Sequence, residues 1–145
     1  YEIGVRLVGS EMCIRDSLTR ESVHQAGAVF LYEEKSDDIL LYADENQLSQ
    51  VFVNLVKNAL QAGATKIKIT AEIDFAETIK IAVSNNGRPI SAESQEEIFV
   101  PFYTTKQEGT GIGLSLSRQI MRLHNGTLTL ARSDQRMTTF LLHFK

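Results

Sequence analysis

The chain has 145 residues, 43% apolar and 23% charged, enough for one globular domain with a real core. A formal charge of −3 and a pI near 5.6 leave no basic footprint for nucleic acid, and no apolar run approaches the roughly 20 residues of a membrane span, so neither partner is expected for this piece. The single cysteine, Cys13, has no partner for an internal disulfide, no Cys/His spacing matches zinc ligands, and no internal repeat is present.

Residues 5–17, VRLVGSEMCIRDS, resemble the translated adaptor tail found at the ends of metagenomic reading frames. We therefore expect residues 1–17 to be a non-native tail, excluded from fold reasoning, and 18–145 to carry the domain. The plain alternative is a short native helix or strand. Without the tail, Arg6 and Arg15 go against Glu2, Glu11 and Asp16, and the charge moves from −3 to −2. A native protein longer at its N-terminus is then expected.

From Leu18 onward, SVHQAGAVFLYEE and DILLYA are predicted as two short strands around a polar turn at Lys35–Asp38. A helix follows, with Asp44 as N-cap and Gly63 just past its end. Its apolar residues Leu48, Val51, Phe52, Leu55, Val56, Ala59 and Leu60 recur at the three-and-four spacing of one buried face. TKIKITAEI and TIKIAVS alternate around a turn at Asp74–Glu77, which predicts an antiparallel pair. SAESQEEIF is a short helix starting at Ser91 or Ser94. GLSLSRQIMRLHN is a helix predicted to bury Leu116, Ile120 and Leu123 and to stop at Asn125-Gly126. TLTLARS and TTFLLHF close the chain as strands. The sum is a two-layer α/β sandwich: a mixed, mostly antiparallel sheet with about three helices on one face.

Three segments carry candidate chemistry. Asn54 and Asn58 lie four apart, so a helix projects both from one side, and carboxamide oxygens suit a hard cation such as magnesium. Plain solvated polar residues would look the same, although asparagine carries a small cost inside a helix. GTGIGL, residues 109–114, runs straight into a helix, where backbone N–H groups and the positive helix end favour an anion. Such a turn also serves merely to begin a helix. SNNGRPI follows a buried strand: Asn85 can meet a ligand edge and Gly87 lets the backbone approach a flat ring, yet Asn-Asn-Gly is ordinary turn chemistry.

Taken in order, NLVKNALQA, SNNGRPI, IFVPFYTTK and GTGIGL resemble the catalytic ATP-binding domain of bacterial sensor histidine kinases, over about Asp44 to Phe144. This family shares the Bergerat fold with DNA gyrase, mismatch-repair ATPases and a heat-shock chaperone. The resemblance implies roles position by position. Asn58 matches the magnesium ligand and Asn54 the position beside the attacked phosphate. Asn85 matches the residue holding the adenine amino group, with Gly87 and Ile90 in its loop. Phe99 and Phe102 match the aromatic box anchoring the lid over ATP. Thr104, Thr105 and Lys106 lie in that lid, with Lys106 placed for the terminal phosphates. Gly109, Thr110, Gly111, Ile112, Gly113 and Leu114 match the phosphate tail, and Thr139 with Phe140 the terminal strand motif. Where the family often has a cation three residues after the magnesium ligand, this chain has Gln61, which moves that duty to Lys57 or Lys106. Two departures stand out: Asn85 where aspartate is usual, and Pro89 where glycine is usual. The first removes charge assistance from the adenine contact, and the second stiffens the loop.

Asn54 separates two enzyme readings. Fold relatives that hydrolyse ATP usually carry glutamate there as a base, and an amide has no such capacity. The resemblance therefore implies an ATP- and magnesium-dependent protein histidine kinase domain, with Asn54 and Lys106 as its catalytic residues. The γ-phosphate would pass to a histidine on another domain and then to a response regulator. His24, His124 and His143 do not fit that acceptor, so a dimerisation domain outside this chain is expected to supply it, along with any homodimer. The implied location is cytoplasmic, compatible with a parent anchored in the inner membrane. The alternatives are a related ATPase and a nucleotide-binding scaffold without catalysis.

Overall fold

The computed structural model describes residues 3–6, 27–35, 39–101 and 113–145. Helix α1, Glu45–Gln61, organises the rest. Asp44 caps it, its carboxylate accepting from the Gln47 N–H at 3.1 Å, and its first turn carries Glu45 at the positive end. At the other end Gly63 adopts φ +80°, the Gly63 N–H reaches the Leu60 carbonyl and the Ala64 N–H reaches that of Ala59. That pair of bonds is the Schellman stop, and the left-handed residue it needs is why glycine stands at 63. Leu48, Val51, Phe52, Leu55, Val56 and Ala59 are buried as the spacing predicts, whereas Leu60, expected on the same face, is only partly buried. Each large apolar side chain contributes about 1.5–3 kcal/mol on burial, which drives the helix onto the sheet.

The sheet has five strands in the order β2-β4-β5-β7-β6: Val29–Glu34, Lys66–Ile73, Ile79–Asn85, Thr138–Phe144 and Gly126–Ser133. Alternation on β4, β5 and β7 sends Ile67, Ile69, Ala71, Ile79, Ile81, Val83, Phe140, Leu142 and Phe144 to one buried face. Helices α1 and α3 (Gly113–Leu123) supply the other side of that core, and the short α2, Ala92–Gln95, is capped by Ser91, whose Oγ accepts from the Ser94 N–H. The two-layer sandwich and its mostly antiparallel sheet stand as expected.

Two local features need a separate account: a strand pairing that the sequence left open, and a helix face that it misplaced. The first two strands do not pair with each other: β2 runs parallel to β4, while β3, Leu40–Ala43, pairs antiparallel with β1, Ile3–Arg6. A parallel neighbour requires a crossover, and here β3 and α1 together form it. Second, α3 buries Ser117, Ile120 and Met121, whereas Leu116 is 39% and Leu123 63% exposed. The helix is turned so that Ser117 faces α1 and Met121 lies over Gly126, where an added Cβ would come within 2.9 Å of the methionine methyl. Leu116 and Leu123 instead flank an open groove with Asn46, Gln47 and Gln50 of α1.

Candidate functional site

The ligand-facing side of α1 meets a different neighbour at each turn. Asn54 packs against the start of α3: its Nδ2 donates to the Gly113 carbonyl at 3.1 Å and to Ser117 Oγ at 3.0 Å, and its Oδ1 accepts from Gln50 Nε2 at 2.8 Å. Asn58 follows one turn later, half-buried. One more turn reaches Ala62, which abuts Gly87 so closely that a Cβ there would lie 2.8 Å from the Ala62 methyl and 2.9 Å from its carbonyl. The close approach that requires glycine at 87 in this structure is therefore to the end of α1. At Gly113 an added Cβ meets Asn54 only at 3.7 Å, ordinary contact. With 1.5 Å of rise per residue, the span from Asn54 to Ala62 is about 12 Å, the scale of a nucleotide.

The two asparagines after β5 do separate work. Asn86 is the turn residue: its Oδ1 accepts from the Thr65 and Lys66 N–H groups and its Nδ2 donates to Thr65 Oγ1. Asn85 is buried, and its Oδ1 accepts from the Gly87 N–H at 2.8 Å. A carbonyl oxygen has a second lone pair, which leaves room for an amine donor. Register places Thr138 opposite Asn85 on the core face, and Thr138 Oγ1, Ser133 Oγ and the Ile90 N–H form a chain at 2.8 Å each. Thr139 points to the other face, paired with Ser84 at 2.9 Å. The threonine singled out from sequence is thus turned away from Asn85, because β alternation puts its neighbour on the inner side. Arg88 caps the negative end of α1, with its N–H on the Ala62 carbonyl and its Nη2 on that of Gln61, both at 2.8 Å. The last turn of α1 has no basic residue of its own, and the Lys57 and Gln61 side chains are exposed.

Phe99 stacks edge-on against the buried Phe140, centroids 6.4 Å apart, and the Arg118 guanidinium lies 4.2 Å above its ring. Phe99 is thereby fastened to both β7 and α3, and Leu114 packs on the core. Phe102, Thr104, Thr105, Lys106, Gly109, Thr110, Gly111 and Ile112 lie outside the described residues.

The donor set suits a metal-chelated nucleotide. Both N–H groups of Asn54 are committed to α3, so the valence it offers to a ligand is a carbonyl lone pair, which accepts from metal-bound water or meets a hard cation directly. Asn58 adds a second carboxamide one turn on.

Comparison with known proteins places the chain in a family. Residues 43–145 match the family described as histidine kinase-, DNA gyrase B- and HSP90-like ATPase. The catalytic domain of histidine kinase ThkA superposes with a TM-score of 0.84 at 34% identity, covering 99% of this chain and 95% of that one. The chain belongs to the histidine kinase-like ATPases. The sensor histidine kinase ZraS of Escherichia coli K12 is 39% identical over 104 residues, 70% of this chain but 22% of ZraS, so the chain spans about a fifth of that curated relative. ThkA in complex with the response regulator TrrA aligns with a TM-score of 0.79 at 32% identity, over 99% of this chain and 41% of that one. As a member of this family the domain is an ATP-binding catalytic domain of the histidine kinase type.

Within this kinase-type domain, two histidines are visible in structural settings. His124 ties the end of α3 to the start of α1, its Nε2 accepting from the Asp44 N–H at 3.0 Å while Nδ1 lies 2.8 Å from the Ile120 carbonyl. This places the ring proton on Nδ1 and makes the residue a strap between helices. His143 sits on β7 with a buried Nε2 that has no hydrogen-bond partner among the described residues, and His24 lies outside them. The sequence reading missed Ser117, Thr138 and Arg88. Only Thr138 had a usable signal, the alternation of β7.

Proposed function

We propose that this domain binds magnesium–ATP and presents the γ-phosphate to a histidine on a dimerisation domain outside this chain, for relay to an aspartate of a response regulator. The observation that carries transfer over hydrolysis is Asn54: a carboxamide with both N–H groups bonded to α3 has no basic atom with which to activate water. Asn58 offers its oxygen to the metal, with Asn54 beside it. Magnesium, when bound, neutralises phosphate charge and leaves the terminal phosphoryl group open to in-line attack. Asn85 accepts from the adenine amine, and the Ile90 loop, held by Ser133 and Thr138, walls that end of the site. The family resemblance assigns Lys106, with Thr104 and Thr105, to the terminal phosphates and residues 109–113 to the phosphate tail, and we carry those roles over. ThkA is known in complex with a response regulator, which supports the same class of partner here. Dimerisation belongs to the domain outside this chain, and the location is cytoplasmic. Among the described residues no helix is long and apolar enough to cross a membrane.

The test is to combine the chain with magnesium, γ-labelled ATP and a histidine-bearing dimerisation domain. Single-turnover label on histidine, with phosphate release at background when the chain is alone, is the expected result. Sustained hydrolysis by the chain alone would make it an ATPase, and absence of any binding to a non-hydrolysable analogue would end the nucleotide reading.

A further inference from the structure

Ser117 is 0% exposed on the inner face of α3, among apolar residues where a hydroxyl has no packing advantage. Its Oγ donates to the Gly113 carbonyl one turn back at 2.8 Å and accepts from Asn54 Nδ2 at 3.0 Å. The Gly113 carbonyl takes the second Asn54 N–H. Gln50 holds the amide from the other side through Oδ1. A carboxamide has two donors and one oxygen with two lone pairs, so this arrangement leaves open a single oxygen lone pair. We propose that Ser117 is a positioning residue that locks the Asn54 amide with its oxygen as the open valence, so that Asn54 serves the metal side of a magnesium–triphosphate and cannot donate to a phosphate. The assignment of Ser117 rests on the nucleotide reading above only for this last, functional consequence.

The lock is local. With alanine at 117 the Gly113 carbonyl is the sole anchor of Asn54 on α3, and the side-chain amide can turn about its terminal torsion, which is soft. Outer partners of metal-side groups typically change metal affinity by about 10–100-fold. Ser117→Ala should therefore weaken a non-hydrolysable ATP analogue by about tenfold in the presence of magnesium, while leaving metal-free ADP affinity unchanged. A merely structural role would shift the unfolding midpoint and move both nucleotides together.

Three measurements on the full chain decide it. Calorimetry of wild type and Ser117→Ala with both nucleotides gives the split, and equal losses for both would overturn the proposal. In an Asn54→Ala background the Ser117→Ala effect should vanish, since the hydroxyl acts through that amide, and full additivity would overturn it equally. The third readout needs no nucleotide: solvent exchange of the Asn54 side-chain amide protons, followed by NMR, should accelerate at least about tenfold in Ser117→Ala when one of their two acceptors is lost. Unchanged exchange sinks the lock itself. If wild type binds neither nucleotide, the function proposed above fails while the exchange measurement still decides the role of Ser117.

Discussion

At the residue scale, the binding role proposed for Asn85 would have to share a side chain that already serves the turn. Its oxygen already holds the Gly87 N–H, so an adenine amine must share an uncharged acceptor. Ionised acceptors make hydrogen bonds worth about 1.5–3 kcal/mol net, against about 0.5–1.5 for neutral ones. Asn85→Asp should therefore tighten ATP by roughly fivefold or more and raise the preference over GTP, read by calorimetry with both nucleotides. An unchanged ratio would mean that the base edge is recognised elsewhere. The two threonines of β7 make a sharper contrast. Thr138→Val breaks the chain through Ser133 to the Ile90 N–H and should weaken ATP binding, whereas Thr139→Val, on the outer face beside Ser84, should not. Equal effects from the two variants would refute the facing of the strand. The sequence displayed both residues, and the alternation that sets Thr138 with Phe140, Leu142 and Phe144, against Thr139 with Leu141 and His143, was the signal that separates them.

At the element scale, legibility followed from how local each determinant is. Helix α1 was readable in full, cap to stop, because Asp44, the apolar spacing and Gly63 act within one segment. Helix α3 was found but turned wrongly, because Leu116 and Leu123 look like core and Ser117 looks like surface until its two hydrogen bonds are seen. The partner of β2 was not readable at all, since a parallel pairing is decided by the crossover and not by the strand. The β6–β7 turn is again local and gives a pH prediction. Asp134 is pulled down to about 2, chiefly by the Arg132 N–H and then by the backbone N–H groups of Arg136 and Met137. A carboxylate depressed on folding contributes stability that is present in full above its unfolded value of about 3.9 and is lost as pH falls through about 2. The difference in urea midpoint between wild type and Asp134→Asn should hold steady from pH 7 to pH 5 and shrink below pH 4. A difference that grows as the pH falls would reverse the sign of the argument.

At the scale of the whole molecule, the first strand stands apart from the five-stranded sheet. β3 contributes Leu41 and Ala43, 5% and 0% exposed, to the main cluster by side-chain packing, and it pairs with β1 in a two-stranded ladder separate from the five-stranded sheet. Two isolated strands are marginal in water, so the ladder cannot be what holds β3 in place. The family match begins at residue 43, after both of these strands. We therefore propose that residues 1–17 are an appendage and predict that deleting them leaves magnesium–ATP affinity unchanged and moves the unfolding midpoint by no more than about 3 °C, the shift expected for less than about 1 kcal/mol in a domain of this size. A larger loss, accompanied by faster amide exchange in β3, would make the β1–β3 ladder part of the native fold and residues 3–6 native sequence. If exchange quickened in α1 as well, the Asp44 cap and its strap to His124 would be implicated, because β3 leads directly into that cap.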